Sequence, residues 1–408
     1  MLYRYILKFL LACMIMLTPF TPISVVFPNL YNFRQYSMLL FVFMILGYCL
    51  YRKRLVNVGI RQIVLYIIAI IIWSMIGIYN GYNAFQEASP LVVMLLSFIA
   101  VVVAYKEGFI EKKIIKIIAF FLMIAWCCVY FALAVGWLFG LISIQFLMPI
   151  LDVYMQANST ITMGNGFLGM LPRIGAGVNI VPFIIYAFYI YENKKYDILI
   201  WILLLFYTII DYGRIDMMLF CVLTCFKVYY NFKHNLRIKN ICKRLSILIM
   251  LMIPLFWGMS ISDIGVSDFY DGWTERYDRP SDSRTLQIQY LNDYIEEKTI
   301  IGYGLGAFTP EYTRAGNRWV YEMQFHAFVM QMGILGFLII VVNYLIIFIT
   351  TVYKGCERKY LPIIFICIAF WIIDCIFQGG LYHNDGRVIC ILIYVLSRKD
   401  GSTCRGNG

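Results

Sequence analysis

Apolar windows long enough to cross a membrane recur along the chain from Tyr5 to Tyr394, with polar segments between them. Most hold about 16 to 25 residues, and a helix of that length crosses the roughly 30 Å of hydrocarbon in a bilayer. The pattern predicts an all-α, polytopic membrane protein with about twelve transmembrane helices. The twelve windows cover residues 5–20, 36–51, 60–79, 90–105, 114–135, 174–191, 198–210, 215–230, 245–260, 325–352, 361–377 and 388–396.

One polar segment, residues 263–324, is far longer than the others and separates the ninth window from the tenth. It divides the chain into transmembrane helices one to nine (1–262), a large extracytoplasmic loop (263–324), transmembrane helices ten to twelve (325–397) and a cytoplasmic tail (398–408). Any chemistry of the protein is expected in this loop, because it gathers polar side chains outside the hydrocarbon.

A helix is predicted inside the loop, over residues 284–297. The run Ser281-Asp282-Ser283 supplies residue types that cap helix N-termini. The apolar side chains that follow fall on one helical stripe, namely Leu286, Tyr290, Leu291 and Tyr294. Arg284 therefore opens a helix whose unpaired N–H groups and dipole already favour an anion.

Composition and charge agree with a membrane protein and fix a predicted orientation. The chain is 62% hydrophobic and only 14% charged, and short cytoplasmic loops of membrane proteins are enriched in Lys and Arg. If the chain crosses the membrane twelve times, 24 of the 34 basic residues lie on the same side. That side is predicted to be the cytoplasm, and both termini lie on it. The net charge of +11 then favours contact with anionic lipid headgroups and excludes a nucleic-acid partner.

The basic residues left on the outer side are nearly all arginine. Nine of these ten are Arg, the residue type whose fork matches phosphate and carboxylate oxygens, so they favour an anionic ligand outside the membrane. Pairing with outer Asp and Glu is the competing explanation for part of the set. The ten are Arg34, Arg173, Arg214, Arg276, Arg279, Arg284, Lys298, Arg314, Arg318 and Arg387.

Several kinds of chemistry find no motif in the chain. The three His and twelve Cys show no pair with metal-ligand spacing, so we predict no metal and no cofactor. The sequence also lacks the P-loop of ATP-hydrolysing proteins and the G-x-S-x-G nucleophile elbow of serine hydrolases. Residues Gly302 to Phe308 contain a G-x-G-x-x-A pattern without a preceding buried strand, which favours a tight turn packed against a span over a dinucleotide site.

Four arginines near the outer ends of spans are the candidate anion-binding residues: Arg173, Arg214, Arg284 and Arg318. A lone Arg at a span end is often a snorkelling anchor. For Arg214 a local ion pair with Asp211 or Asp216 is a further alternative.

Glu322 and His326 are the candidate general bases. With Arg318 and Trp319 they recur at helical three-to-four spacing, and they would share one face if the tenth span begins a turn early. A solvated helix start is the competing explanation.

These residues resemble the O-antigen ligase and polymerase superfamily of bacterial polysaccharide assembly, and in particular its Wzy-type polymerases. The resemblance covers residues 171–336. Five elements carry it: Arg173-Ile174-Gly175 to Pro182, Asp211-Tyr212-Gly213-Arg214, Arg284 at the start of the loop helix, Gly302-Tyr303-Gly304-Leu305-Gly306-Ala307-Phe308, and Gly333-Ile334-Leu335-Gly336.

Two departures from the family pattern bear on the function. Ligases of the family usually carry His-Asn where this chain has Glu322-Met323, which favours a polymerase. A Pro that is common before the glycine turn is replaced by Thr299-Ile300, so the end of the loop is expected to be built differently.

The resemblance implies a fold like that of the type C glycosyltransferases, in the bacterial cytoplasmic (inner) membrane. It implies that Arg173, Arg214 and Arg284 bind the pyrophosphates of two undecaprenyl carriers, and we add Arg318 as a fourth candidate. The implied activity is metal-independent glycosyl transfer that joins undecaprenyl-pyrophosphate-linked oligosaccharide repeat units into O-antigen, capsular polysaccharide or exopolysaccharide. Membrane lipids are the other expected partners, with a chain-length regulator as a further candidate.

Two other functions stay open on the sequence. A ligase that transfers polymer to a lipid or protein acceptor would share the donor chemistry. A flippase or other lipid-sugar transporter would carry charged residues along a path through its spans. Charge in the middle of the windows is scarce, and Asp374 is the main exception.

Overall fold

The computed structural model describes residues 2–17, 28–52, 60–138, 141, 161–162, 173–174, 180–191, 197–211, 214–233, 282–311, 321, 323–378, 381 and 384–399. Within these residues the regular structure is helical apart from one pair of two-residue strands. The strands are β1 (Ile161–Thr162) and β2 (Arg173–Ile174), and they pair antiparallel with Thr162 opposite Arg173.

The α-helices of the described residues, numbered along the chain, have the following bounds. They are α1 Leu2–Met16, α2 Pro28–Arg52, α3 Ile60–Tyr79, α4 Phe85–Lys106, α5 Lys112–Leu138, α6 Val181–Tyr189, α7 Asp197–Asp211, α8 Arg214–Lys233, α9 Asp282–Glu297, α10 Gln324–Phe337, α11 Asn343–Tyr353, α12 Leu361–Gln378 and α13 Asn384–Leu396. A π-helical turn, Leu338–Val342, joins α10 to α11, and a short 3-10 turn, Arg358–Tyr360, precedes α12.

Five stretches of helix in the described part of the chain are long and apolar enough to cross a membrane. They are Phe33–Arg52, Ile60–Tyr79, Phe85–Lys106, Gln324–Tyr353 and Arg358–Ile376. By length and composition these are the helices of a membrane-embedded protein. The total of twelve spans stays a prediction, and the window 245–260 lies outside the described residues.

The predicted windows coincide with helices wherever the structure describes them, with one clear correction. The third window, 60–79, has the same bounds as α3. The sixth window, 174–191, is wrong at its start, because Ile174 belongs to β2 and the helix begins only at Val181. Pro182 lies in the first turn of α6, where its missing N–H costs no helical hydrogen bond.

The long helical stretch from Gln324 to Tyr353 is broken at Gly333. This residue has φ 62° and ψ 179° inside α10, a conformation that side chains strongly disfavour. A backbone break at membrane depth is tolerated only where protein groups satisfy the released hydrogen-bonding groups. Those groups come from the segment just before α10 in the chain, as shown below.

One end of the bundle, here called the basic end, joins many of the predicted cytoplasmic segments. Lys8 Nζ lies 2.7 Å from Glu111 Oε1, and Tyr48 donates to Glu107 Oε2 at 2.8 Å. Lys112, the residue after Glu111, donates from its Nζ to the carbonyl of Arg398. The amide of Glu357 donates to the carbonyl of Ser397 at 2.9 Å.

The opposite end, here called the loop end, joins predicted outer segments. Asn80 Nδ2 donates to the carbonyl of Tyr303 at 2.7 Å, and the amide of Leu381 donates to Gln324 Oε1 at 2.9 Å. The contacts therefore sort the segments into the same two groups as the charge pattern. Which end faces the cytoplasm stays a prediction.

Candidate functional site at the loop end

Helix α9 confirms the predicted loop helix and corrects its buried face. It begins at Asp282, two residues before the predicted start, and ends at the predicted Glu297. Leu291 is fully buried as predicted, but Leu286 is 46% exposed. The buried face instead includes Gln287, because α9 packs on α10 one step around the helix from the predicted stripe.

The glycine turn, residues Gly302 to Phe308, packs against α3 as the sequence predicted. The amide of Leu305 donates to the carbonyl of Trp73 at 3.0 Å, and Trp73 Nε1 donates to the carbonyl of Ile301 at 2.7 Å. Gly304 has φ +95°, and a Cβ there would lie 2.1 Å from the amide nitrogen of Gly77. Only glycine allows the two backbones to approach this closely.

The same turn fills the break in α10. The amide of Gly304 donates to the carbonyl of Gln331 at 2.7 Å, and the amide of Tyr303 donates to that of Met330 at 3.2 Å. On the other side of the break, the amide of Ile334 donates to the carbonyl of Thr299 at 2.9 Å. The chain before α10 thus satisfies backbone groups that a continuous helix would have bonded internally.

Two glutamines fix the start of α10. Gln287 Oε1 accepts the amide of Met323 at 2.8 Å, which joins the second turn of α9 to the residue that precedes α10. Gln324 Oε1 accepts the amide of Leu381 at 2.9 Å, which adds the segment before α13. His326, in the first turn of α10, is partly buried, and its Nδ1 has no hydrogen-bond partner.

The proposed stripe of Arg318, Trp319, Glu322 and His326 does not lie on one continuous helix. Tyr321 is not helical, and Met323 caps α10 with φ −81° and ψ 68°. The helix begins at Gln324 and not a turn earlier, which was the condition for the predicted shared face. Arg318 and Glu322 themselves lie outside the described residues.

The remaining candidate arginines sit in three different elements. Arg173 lies in β2, and β2 packs against α7. Arg214 is the first residue of α8, at the end opposite Lys227, which pairs with Asp197. Arg284 is the third residue of α9, one turn before Gln287. Helix α12 packs against both α8 and α10, and α10 packs against α9, so contiguous helices connect the elements of Arg214, Arg284 and His326.

Four charged residues near the loop end are buried. The sequence analysis named three of them without predicting their burial, and it missed Glu87. Arg34, Glu87, Asp374 and Arg387 are 2%, 4%, 1% and 7% exposed, and each has partners within the protein. Arg387 Nη1 lies 3.5 Å from the sulfur of Met38, one turn after Arg34 in α2. The available signal was a charged residue near the end of an apolar helix, which marks functional or tightly paired positions in membranes.

Tyr294 of α9 packs against Tyr303 of the glycine turn. The rings of Tyr294 and Tyr303 lie 5.4 Å apart, Lys298 Nζ lies 4.3 Å from the centre of the Tyr303 ring, and Tyr303 donates its hydroxyl to Glu297 Oε2. Burial, followed by the Glu297 carboxylate, raises the pKa of Tyr303 well above its usual value. The phenol therefore stays neutral and acts as a hydrogen-bond donor.

Metal-binding groups do not cluster in the part of the chain that the structure describes. No three His, Cys, Asp or Glu side chains there lie close enough to share an ion.

Comparisons with known protein families, with curated proteins and with solved structures found no match. The helices alone define the class, a helical membrane-embedded protein with a loop helix packed on its bundle.

Proposed function

We propose that this protein is a polymerase that joins undecaprenyl-pyrophosphate-linked oligosaccharide repeat units by metal-independent glycosyl transfer. The observation that carries the proposal is the 2.8 Å hydrogen bond from the Met323 amide to Gln287 Oε1. It joins Gln287, one turn after Arg284 in α9, to Met323, which directly precedes the first turn of α10, where His326 lies. Two packed helices whose first turns carry an Arg and an imidazole suit an anionic leaving group and a hydroxyl nucleophile.

In the proposed reaction a sugar hydroxyl of the acceptor attacks the anomeric carbon of the donor glycan. The bond from that carbon to the pyrophosphate oxygen breaks, and undecaprenyl pyrophosphate leaves with the electron pair. Arg284 and Arg214, at the starts of α9 and α8, would stabilise the charge that grows on the leaving group. Each such contact is expected to contribute about 3 kcal/mol in the transition state.

The proton of the attacking hydroxyl goes to His326 or Glu322. His326 is suited to this role because its Nδ1 has no protein partner, so a ring nitrogen can accept a proton without breaking a hydrogen bond. Arg173 is kept as a pyrophosphate-binding candidate on the resemblance of the sequence, and Arg318 on its predicted position near the outer end of a span.

Arg284→Ala is the direct test of the proposed site. We expect chain extension to slow about 100-fold, so a strain carrying the variant accumulates single repeat units in place of polymer on a gel. Arg284→Lys keeps the charge and loses the fork, and it should give intermediate lengths. Wild-type polymer lengths from Arg284→Ala at normal protein level would remove this residue from the site.

The same strain separates a polymerase from a ligase. Loss of a polymerase leaves single units transferred to the final acceptor, whereas loss of a ligase leaves full-length polymer on the lipid carrier. Polymer stranded on carrier would therefore favour the ligase. Loss of polymer together with lipid-linked units that accumulate on the cytoplasmic side of the membrane would favour the transporter.

A further inference from the structure

Two large apolar side chains are exposed in the segment that leads from α9 to the glycine turn. Ile300 is 69% exposed and Ile301 is 51% exposed, although both belong to the polar segment between the ninth and tenth predicted spans. Apolar surface of this size is costly to leave in water. The surroundings of these two side chains therefore need a physical account.

Contacts with α3 fix the depth of the segment. Trp73 Nε1 donates to the carbonyl of Ile301 at 2.7 Å, and Trp73 precedes Tyr79, the last residue of α3, by six residues, or about 9 Å of helix. Helix α3 has 20 residues, roughly 30 Å, which is the thickness of the hydrocarbon in a bilayer. Ile301 therefore lies within the depth that α3 spans and not beyond its end.

Contacts with α10 place the segment at a similar depth. The amide of Leu335 donates to the carbonyl of Ile300 at 3.2 Å, and Leu335 lies eleven residues after Gln324, the start of α10. A Cβ at the neighbouring Gly336 would lie 2.6 Å from the Trp73 ring, so α3 and α10 meet at this level. Two helices thus agree that the segment dips below the loop end of the bundle.

The exposed isoleucines continue the apolar surface of these two helices. Ile334 and Leu335 of α10 and Met75 of α3 are also exposed, and both helices are long and apolar enough to cross a membrane. Exposed apolar residues of a membrane span face the acyl chains of the lipid. Because the segment is hydrogen-bonded to both helices, Ile300 and Ile301 extend the same lipid-facing surface.

The backbone of the segment meets the condition for a position in hydrocarbon. Irregular backbone is tolerated at membrane depth only where the protein satisfies its polar groups. The carbonyls of Thr299, Ile300 and Ile301 each accept a hydrogen bond, and the amides of residues 302–305 each donate one. Polar backbone atoms are thus bonded inward while the isoleucine side chains point outward.

We propose that residues 299–305 form a re-entrant segment embedded in the leaflet at the loop end, with Ile300 and Ile301 in contact with its acyl chains. Glu296 and Glu297, at the end of α9, are exposed and charged, so the boundary of the hydrocarbon falls between them and Ile300. The segment then anchors the end of the loop helix at the membrane surface. This anchor is independent of the proposed reaction.

A spin label at Ile300→Cys tests the position of the segment. The full-length protein, with its twelve native Cys replaced by Ala, is placed in vesicles of phosphatidylcholine and phosphatidylglycerol. Collisions of the label are measured with molecular oxygen, which concentrates in hydrocarbon, and with a neutral nickel chelate, which stays in water. We expect oxygen to dominate at Ile300→Cys, as at the lipid-facing control Ile334→Cys, and the nickel chelate to dominate at Glu296→Cys.

Two results of that measurement would overturn the proposal. Nickel access at position 300 equal to that at position 296 would place the segment in water. Weak collisions with both reagents would show that protein covers the side chain, either from a second copy or from another part of the chain.

Ile300→Asp provides a second test in the protein with its native Cys. A carboxylate at hydrocarbon depth is costly, so the unfolding temperature in the same vesicles is expected to fall by roughly 5 °C. The matched control is Leu286→Asp, the same kind of change at an exposed apolar residue of α9, which should leave the unfolding temperature unchanged. Equal shifts in the two variants would contradict a lipid environment specific to Ile300.

Discussion

At the scale of single residues, Gly304 and Gly333 allow the close backbone contacts that the glycine turn and the break in α10 require. A Cβ at Gly304 would lie 2.1 Å from the amide nitrogen of Gly77, and a Cβ at Gly333 would lie 2.2 Å from the carbonyl oxygen of Ile300. Both residues have positive φ. Each substitution therefore combines backbone strain with a clash against backbone, which cannot move aside as a side chain can.

Gly304→Ala is expected to destabilise the fold by roughly 3 kcal/mol or more. The measurement is the unfolding temperature in detergent, together with the fluorescence of Trp73, whose Nε1 donates to the carbonyl of Ile301. Gly81→Ala and Gly47→Ala are graded controls, because neither position has an atom within 4 Å of the added Cβ and only Gly81 has a positive φ, +82°.

The expected order separates the two causes. Gly81→Ala should cost about 1 kcal/mol for its φ alone, and Gly47→Ala, inside α2, should be neutral or slightly stabilising. Equal effects of Gly304→Ala and Gly81→Ala would mean that the close approach to Gly77 contributes nothing.

The hydroxyl of Tyr303 makes stability depend on alkaline pH. Burial, then the hydrogen bond and charge of Glu297, raises the pKa of Tyr303 above the ordinary value of 10.0. Below the unfolded-state pKa the phenol is neutral in both states, so its contribution is present in full. As pH rises towards the folded-state pKa, only the unfolded phenol ionises and stability is lost.

Tyr303→Phe should therefore lose less stability than the wild type between roughly pH 10 and 12. Unfolding temperature across that range is the measurement. Glu297→Gln removes the carboxylate charge and keeps a hydrogen-bond acceptor, so it should fall between the two. A slope in Tyr303→Phe identical to that of the wild type would show that another group controls the alkaline limb.

At the scale of secondary-structure elements, two ion pairs at the basic end differ in burial. They should therefore differ in how much each contributes to the free energy of unfolding. Lys227 and Asp197 join α8 to α7, with N···O 3.4 Å and side chains 1% and 12% exposed. Lys359 and Glu357 lie 2.9 Å apart before α12, with side chains 45% and 28% exposed. Removing one member of a buried pair strands a charge, whereas an exposed pair is screened by water.

Lys227→Met is expected to cost roughly 3 kcal/mol, and Lys359→Met under about 1 kcal/mol. Thermal unfolding in detergent measures both. Asp197→Asn in the Lys227→Met background should recover part of the loss, because it removes the stranded carboxylate charge. No recovery in the double variant would show that packing of the lysine stem, and not the ion pair, sets the cost.

Elements defined by local pattern could be predicted from the sequence, and elements defined by distant partners could not. Helix α3 has the predicted bounds, and the loop helix α9 ends at the predicted Glu297, because continuous apolar windows and capping residues act locally. The break at Gly333 depends on acceptors at Thr299 and Ile300 in another segment. A sequence window through Gly333 contains only an apolar helix pattern.

The candidate site was predicted in part for the same reason. Arg284 and His326 were found as residue types at helix starts, and the structure joins their helices through Gln287. Gln287 itself was missed. From the sequence, a polar residue beside the predicted apolar stripe is expected to face solvent, and only the packing of α10 against α9 buries it. Glu87 was missed, and the burial of Arg34 was not predicted, because burial at α2 and α4 comes from tertiary packing.

The molecule as a whole has two ends joined by different chemistry. The basic end is held by ion pairs and lysine contacts such as those of Lys8 and Lys112. The loop end is held by amide side chains and backbone bonds, such as those of Asn80 and Gln324. The proposed reaction requires the loop end to face away from the cytoplasm, where lipid-linked units would be polymerised.

Cysteine labelling in intact cells tests that orientation. Glu296 is exposed on α9 at the loop end, and Lys113 is exposed in α5 at the basic end. A membrane-impermeant maleimide should label Glu296→Cys in intact cells, and Lys113→Cys only after the inner membrane is permeabilised. The unsubstituted protein supplies the background, because Cys128, Cys221 and Cys225 are exposed in the structure. Labelling of Lys113→Cys but not Glu296→Cys before permeabilisation would invert the topology. The arginines at the starts of α8 and α9 would then face the cytoplasm, away from the lipid-linked glycan that the proposed reaction consumes.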